Sequence, residues 1–232
     1  MEKLLNLAAA WAGEEIRRTI LYVNAHCLNL ACEDEDYREA LNSADLVYPD
    51  GIGVVWGGRW LAELQMHKIT GADWIDAFCR ITRDRGQRIY ILAGRPGIAG
   101  TAATRLQSRW PGLHIVGEAD GYFVEKNEAE VLAEIGRCKP HFLLAGMGSP
   151  RQEKWLSAHR AELPVPVCWA VGALFDFVSG LEPRAPLWMN RLPLEWLWRL
   201  YMDPRGKWRR YLIGNPLFLL RLLRQRLKNR QV

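Results

Sequence analysis

The chain has 232 residues, 49% of them hydrophobic and 25% charged, and no apolar run approaches the roughly 20 residues that a membrane-spanning helix needs. That length fits one large domain, or a domain with an appendage. Residues 182–232 contain 12 Lys and Arg against 3 Asp and Glu, whereas the preceding residues contain 19 against 23, so a basic tail follows a mildly acidic body. This asymmetry implies an anionic partner for the tail: nucleic acid, an anionic membrane surface or a phosphate-bearing substrate.

The predicted elements alternate between strands and helices as far as Gly172. An amphipathic helix opens the chain, and short apolar runs then alternate with longer stretches of helical periodicity. Strands are predicted at 19–23, 46–48, 88–93, 113–118, 142–145 and 167–171, and helices at 34–43, 72–85, 98–110, 128–138 and 152–163. The pattern predicts an α/β fold, a Rossmann-like parallel sheet sandwiched by helices, whose ligands gather beyond the carboxyl ends of the strands.

After Gly172 the pattern indicates a C-terminal helical, basic appendage. Residues 183–216 contain five prolines and four tryptophans, which favours a series of short helices. Residues 217–230 predict a final amphipathic helix with leucines on one side and Arg221, Arg224 and Lys228 on another. We therefore divide the chain into an α/β domain at 1–182 and an appendage at 183–232.

Three segments contain the residue types that transfer of a group away from a diphosphate requires. Asp50 lies in the turn YPDGIGVVW at 48–56, although a DG pair often serves only as a turn. The segment AGMGSPRQEKW at 145–155 runs from a strand through a glycine-rich turn into a helix, whose free N–H groups attract anions. The tail supplies arginines. Together they offer a general base, an anion-binding turn and cations.

Other motifs have plainer alternatives. The acidic run at 33–36 could bind a metal, but it opens a predicted helix, where carboxylates offset the helix dipole. The turn at 94–97 resembles a phosphate loop, but it lacks the full glycine fingerprint, so a plain turn is favoured. Tyr122 could stack on a nucleobase or pack in the core, and His26, near Asn24, could touch substrate. The histidines and the five cysteines show no metal-ligand spacing, and the cysteines favour a reducing compartment.

Taken together, these segments resemble the WecG/TagA/CpsF family of bacterial glycosyltransferases. The combination of PDGIG, GSPRQEKW and RAP followed by LEWLWRL is highly specific, and the resemblance covers most of the chain in family order. The matching stretches are VNAHCLNLA at 23–31, ADLVYPDGIGVVW at 44–56, ITGADW at 69–74, DGYF at 120–123, GMGSPRQEKW at 146–155, VGALFDFVSG at 171–180 and RAPLWMNRLPLEWLWRL at 184–200.

The resemblance implies a metal-independent, inverting enzyme of cell-surface polysaccharide synthesis. It would move a sugar of the ManNAc, ManNAcA or glucose type from a UDP-sugar, a co-substrate rather than a cofactor, onto a polyprenyl-diphosphate-linked saccharide. The enzyme would lie peripherally on the anionic, cytoplasmic face of the bacterial inner membrane and would bind no nucleic acid. Association into a homo-oligomer stays open.

The resemblance also assigns roles to residues and no metal ligand. Asp50 would be the general base that deprotonates the acceptor hydroxyl. The remaining assignments are Asn24 and Gln152 for the sugar pocket, Gly121, Tyr122 and Asp176 for the uridine, and Arg199, Arg205 and Arg209 for closing over the pocket and neutralising the leaving diphosphate. Tyr22, His26 and Gly206 depart from the residues common in the family, which leaves the donor sugar and the number of acting arginines open.

Two functions of other classes are weighed against this interpretation. A nucleotide-dependent oxidoreductase on a Rossmann fold would need the complete glycine fingerprint, followed about 20 residues later by an acidic ribose ligand, and the sequence lacks it. A basic nucleic-acid-binding module would show salt-sensitive DNA binding.

Overall fold

The computed structural model describes residues 1–122, 125–186, 188–189, 192 and 194–229; Phe123 of the DGYF motif, Pro193 and Arg230 lie outside them. Strands β1 to β6 form one sheet in the order β2-β1-β6-β5-β3-β4. The pairs β1·β6, β5·β6, β3·β5 and β3·β4 are parallel, which confirms the predicted α/β fold. The bounds are β1 Arg18–Val23, β2 Leu46–Pro49, β3 Arg88–Ala93, β4 His114–Ala119, β5 Phe142–Gly146 and β6 Val167–Ala170.

Helices connect the strands and form most of the C-terminal part. They include α1 Glu2–Trp11, α2 Ala25–Glu33, α3 Glu35–Asn42, α4 Ile52–Ala62, α5 Gly71–Asp84, α6 Ile98–Arg109, α7 Glu125–Cys138, α8 Arg151–Ala158, α9 Leu174–Val178, α10 Glu195–Met202, α11 Pro204–Trp208 and α12 Gly214–Asn229. A π-helical turn, Arg209–Ile213, joins α11 to α12. The helices predicted from periodicity are confirmed, with shifted ends.

The core lies around the central strands because their side chains are apolar on both faces. β5 and β6 are buried at every residue, and β3 at every residue after its first. Trp74 of α5 stacks on Trp169 of β6 with ring centroids 4.5 Å apart, and Phe78 meets Phe142 of β5 edge to face at 4.9 Å. Such aromatic pairs add to the burial of their large surfaces, so α5 is fastened to the middle of the sheet.

The chain folds into two compact units, each made of three segments. The sheet unit comprises Met1–Tyr22, Glu39–Tyr48 and Ile69–Glu182, and the helical unit comprises Val23–Arg38, Pro49–Lys68 and Pro183–Val232. The tail thus shares its unit with α2 and α4. A domain boundary after residue 182 stays a prediction.

Neither α2 nor α4 is predicted from the sequence, and packing within the helical unit explains α4. Its segment contains several glycines, which disfavour a helix when it is exposed. Here the glycines permit close approach: a Cβ on Gly57 would lie 3.2 Å from the Leu222 side chain, and one on Gly53 would lie 3.6 Å from Phe218. Tertiary packing on α12 therefore overrides the weak local propensity.

The prolines of the tail break the chain less than predicted. Pro204 occupies the first turn of α11, where a missing N–H costs nothing. Helical structure then continues through Pro216, which is predicted from the sequence to be a break. The π-helical turn directly before α12 loosens the backbone where the proline ring would crowd the carbonyl group four residues earlier.

Candidate functional site

A pocket of about 170 Å³ opens in the sheet unit where the turns after β3, β4, β5 and β6 meet. This is the carboxyl end of the parallel strands, as the fold class predicts. Tyr122 and Asp176, both assigned to the uridine, line it together. Its lining consists of Gly94, Arg95, Tyr122, Gly146, Met147, Gly148, Gly172, Ala173 and Asp176.

Backbone hydrogen bonds hold the turns of the pocket together. The N–H of Gly94 donates to the carbonyl of Gly146 at 3.1 Å, and the N–H of Gly121 donates to the carbonyl of Gly94 at 3.0 Å. A Cβ on Gly121 would lie 2.6 Å from Met147 Cγ, so a larger residue would push the turns apart. Gly121 is thus required for close packing beneath the pocket, while its contact with uridine stays a prediction.

Tyr122 presents its ring at the mouth of the pocket. The side chain is 49% exposed, so the ring does not pack in the core, which was one of the two alternatives predicted from the sequence. Its hydroxyl donates to the carbonyl of Met147 at 3.3 Å, and the Arg151 guanidinium lies 5.1 Å from the ring centroid. A tyrosine ring fixed in this way can stack on a planar base.

Gln152 lies behind the pocket and is fully buried. Its Oε1 accepts the N–H of Gly172 at 3.0 Å, and its Nε2 donates to Glu153 Oε1 at 2.8 Å and to Tyr22 Oη at 3.3 Å. The amide is therefore committed to protein groups that shape the pocket. The predicted contact of Gln152 with the sugar remains a prediction.

Arg151 and Glu153 belong to the motif GMGSPRQEKW, but neither is predicted from the sequence as a site residue. Gly94 and Arg95, predicted as a plain turn, both line the pocket. Their position directly after β3 is the signal, because the turn after each parallel strand contributes to the carboxyl edge of the sheet. The sequence does not reveal the position of Glu153 behind the pocket, because its burial depends on the fold.

In the helical unit, Asp50 and Asn24 occupy adjacent turns. The N–H of Asp50 donates to the carbonyl of Val23 at 2.8 Å, and a Cβ on Gly51 would lie 3.7 Å from Cβ of Asn24. Gly51 adopts φ 127°, a value that favours glycine, and it caps α4. Asn24 caps α2: its Oδ1 accepts the N–H groups of His26 and Cys27 at 3.0 and 3.1 Å. The cap explains why α2 begins here.

Arg199 of α10 is held by an acidic neighbour. Its Nη2 and Nε donate to Glu195 Oε1 at 2.7 and 3.2 Å, and Lys68 Nζ lies 3.8 Å from Glu195 Oε2. Burial by itself would lower the pKa of Arg199, but the charges of Glu195, Tyr211 and Asp50 outweigh it and raise the pKa above its usual value. Asp50 is thus one of the charges that act on the Arg199 guanidinium, with a smaller effect than Glu195 and Tyr211.

The other assigned arginines are more exposed. Arg205 lies on α11, and the guanidinium of Arg209 lies 5.4 Å from the ring centroid of Trp208. His26 lies near Arg210. Its burial, and to a lesser extent the charge of Arg210, lower the pKa of His26 to about 4. His26 is therefore neutral at physiological pH.

Within the described ranges, no group of three or more His, Cys, Asp and Glu side chains could hold a metal ion. In the acidic run, Asp34 Oδ1 accepts the N–H of Tyr37 at 3.0 Å, a contact that caps the start of α3. No helix among the described residues is long and apolar enough to cross a membrane.

Comparison with known proteins gives matches along nearly all of the chain. A family model described as "Glycosyl transferase WecG/TagA/CpsF family" matches residues 1–232. The N-acetylglucosaminyldiphosphoundecaprenol N-acetyl-beta-D-mannosaminyltransferase of Bacillus subtilis (strain 168) is 31% identical over 215 residues, 93% of this chain and 82% of that protein. The protein of the same name from Staphylococcus aureus (strain MW2) is 28% identical over 211 residues, 90% of this chain and 81% of that protein.

Proposed function

The chain belongs to the glycosyl transferase WecG/TagA/CpsF family, and from this premise we propose that it transfers a sugar of the ManNAc type from a UDP-sugar to a polyprenyl-diphosphate-linked saccharide. The names of the relatives support an N-acetylmannosamine donor and a GlcNAc-diphosphate lipid acceptor. ManNAcA and glucose remain the alternative donors. The enzyme serves cell-surface polysaccharide synthesis.

The donor's uridine binds in the pocket of the sheet unit. Its base stacks on the exposed ring of Tyr122, and the carboxylate of Asp176 accepts hydrogen bonds from the uridine, while the glycine turns leave room for the nucleotide. Asn24 and Gln152 are the proposed sugar-pocket residues.

One observation supports the mechanism: the charge of Asp50, after those of Glu195 and Tyr211, contributes to the raised pKa of the Arg199 guanidinium, so the two groups interact within the helical unit. Asp50 takes the proton of the acceptor hydroxyl as that oxygen bonds to the anomeric carbon. The bond from the anomeric carbon to the diphosphate oxygen breaks, and UDP leaves with the electron pair. This single displacement inverts the configuration of the anomeric carbon. Arg199, Arg205 and Arg209 offset the charge of UDP, so the transfer needs no metal.

A membrane surface is the proposed place of this reaction. Among the described residues, 15 of the 21 exposed large apolar side chains belong to the helical unit. On α12 these include Leu220, Leu223 and Leu227, and on α4 they include Trp56 and Trp60, which are 58% and 42% exposed. Apolar and tryptophan side chains beside basic residues suit adsorption to an anionic leaflet, here the cytoplasmic face of the bacterial inner membrane.

Arg221, predicted from the sequence to lie on the basic side of α12, has another role. Its Nη1 donates to the carbonyl and Oδ1 of Asn29 at 2.9 and 3.0 Å, and its Nη2 lies 2.6 Å from Glu33 Oε1. It fastens α12 to α2 within the helical unit. Arg224 and Lys228 are exposed and supply the charge for the leaflet.

The test is an assay with UDP-ManNAc, UDP-ManNAcA and UDP-glucose and a synthetic polyprenyl-diphosphate-linked N-acetylglucosamine, in which released UDP and the mass of the lipid product are measured. We expect one donor to give both UDP and a lipid heavier by one sugar. A reaction without the lipid acceptor is the control. UDP without the heavier lipid would indicate hydrolysis, and no turnover with any of the three donors would reject the proposed donor class.

A further inference from the structure

A buried carboxyl group, that of Glu153, lies directly behind the pocket of the sheet unit. The residue is 1% exposed. Its Oε1 accepts a hydrogen bond from Ser149 Oγ at 2.7 Å and another from Gln152 Nε2 at 2.8 Å. Its Oε2 is buried and has no hydrogen-bond partner among the described residues. The mechanism above gives this group no role.

The burial of Glu153 favours the neutral form of its carboxyl group. A carboxylate with one oxygen unpaired and no cation bound to it is very unfavourable in a protein interior. Burial accordingly raises the pKa of Glu153, although its hydrogen bonds with Gln152 and Ser149 oppose the shift. In the neutral form, Oε1 accepts both hydrogen bonds as the carbonyl oxygen and Oε2 carries the proton.

The contacts of Glu153 lead to two sides of the pocket. Ser149 follows Gly148 in the turn after β5, and Gln152 accepts the N–H of Gly172 in the turn after β6. Both glycines line the pocket. Gly172 is closely packed: its φ is 58°, and a Cβ on it would lie 2.4 Å from Tyr22 Oη. Glu153 therefore ties together the two turns that must accept a nucleotide.

We propose that Glu153 is a positioning residue for the donor, a neutral acid that sets the spacing between the Gly148 and Gly172 turns on which UDP affinity depends. This inference rests on the proposed function, because it takes the pocket as the UDP site. Glu153 touches no reacting atom, so it acts through Ser149 and Gln152 on the affinity for UDP rather than on the transfer step.

The test compares Glu153→Gln, Glu153→Ala and the wild-type enzyme by the Kd for UDP from calorimetry, by KM and kcat for the donor, and by the melting temperature. The amide of Gln keeps a neutral carbonyl acceptor, so its Kd should stay within about 3-fold of wild type. Ala removes the acceptor that Ser149 Oγ and Gln152 Nε2 share, a loss that should raise the Kd and KM at least about 10-fold with little change in kcat.

Glu128→Ala is the matched control. Glu128 Oε1 accepts Trp155 Nε1 at 2.6 Å and thus also anchors α8, but none of its hydrogen bonds reaches the pocket turns. It should lower the melting temperature without weakening UDP binding. If Glu153→Ala does not fold, Ser149→Ala removes the same link more gently and should raise the Kd on its own.

Three results would overturn the inference while the wild type binds UDP. The first is an unchanged Kd for UDP in both Glu153→Ala and Ser149→Ala. The second is a Kd for UDP that rises as much in Glu128→Ala as in Glu153→Ala. The third is a Glu153→Gln variant that binds UDP as weakly as Glu153→Ala, which would show that the charged form is needed. A wild-type enzyme that binds no UDP would instead reject the proposed donor, and this inference with it.

Discussion

At the scale of single residues, Asp50 and Arg199 show how charge is arranged in the helical unit. Asp50 follows β2 in a turn whose backbone is held by Val23, and Arg199 is held by Glu195. The backbone of Asp50 and the guanidinium of Arg199 are thus each fixed by a neighbour that takes no part in the proposed chemistry. Orientation of this kind is what general-base and electrostatic catalysis require.

Asp50→Asn should lower kcat by about 10² or more, the usual scale for loss of a general base, because the amide accepts no proton. UDP binding and the melting temperature should stay near wild type, since the side chains are the same size. Steady-state kinetics and calorimetry provide the check. Asp84→Asn, at an exposed residue that pairs with Arg83, is the control. Near-normal turnover in Asp50→Asn would remove this residue from the mechanism.

Arg199→Ala should lower kcat/KM at least about 10-fold, because a preorganised cation facing the leaving diphosphate is lost. The kcat/KM of Arg199→Lys should lie between those of wild type and Arg199→Ala, since an ammonium group keeps the charge but not the paired N–H groups. Arg109→Ala, whose side chain is 65% exposed beside Asp76, serves as the control. Equal rates for the three enzymes would exclude Arg199 from leaving-group stabilisation.

His26 should make the protein less stable in acid. Its pKa is about 4 in the folded state against about 6.5 when unfolded, so below about pH 6.5 the unfolded chain binds the proton more readily and stability falls toward pH 4. His26→Gln should therefore lose less melting temperature between pH 7 and pH 4.5 than wild type. His114→Gln, at an exposed position, should behave like wild type. Identical losses in all three proteins would contradict this account.

At the scale of elements, α4 and α12 act as one packed pair within the helical unit. Phe218 and Leu222 lie against Gly53 and Gly57, and the guanidinium of Arg226 lies 5.5 Å from the ring centroid of Trp60. Cutting the chain after Pro216 would remove this packing along with the apolar face. A test of membrane binding therefore needs substitutions at exposed positions rather than truncation.

The triple variant Leu220→Ser, Leu223→Ser and Leu227→Ser should bind anionic liposomes at least about 10-fold more weakly, because these exposed side chains supply apolar area to the headgroup boundary. Turnover with a short-chain, water-soluble acceptor should be retained. Co-sedimentation and the assay together decide the outcome. Leu7→Ser with Ile16→Ser, exposed positions of the sheet unit, is the control, and unchanged binding by the triple variant would defeat the proposal.

At the scale of the whole molecule, the distribution of charge supports catalysis without a metal. The tail from residue 182 holds 12 Lys and Arg against 3 Asp and Glu, a concentration of cations that can offset a leaving diphosphate. Activity should therefore survive dialysis against EDTA. Loss of turnover that Mg²⁺ or Mn²⁺ restores would show that a carboxylate pair, such as the one at Asp34 and Asp36, has a catalytic role.

The sequence by itself determined the sheet and the family. Strands such as β3 and β5 were predictable because a strand buried on both faces needs a continuous apolar run, which is a local property. The order of PDGIG, GSPRQEKW and the RAP segment was sufficient for the family resemblance, which the match over residues 1–232 confirms.

Only the tertiary structure decided the features that depend on residues far apart in the chain. The glycine-rich α4 packs against Leu222, and Arg221 of α12 binds Glu33 of α2. Gln152 and Glu153 are buried behind a pocket formed by four separate turns. The local periodicity of the sequence does not predict these contacts. Burial and hydrogen-bond partners arise when distant segments pack, so the roles of such residues become visible only in the folded chain.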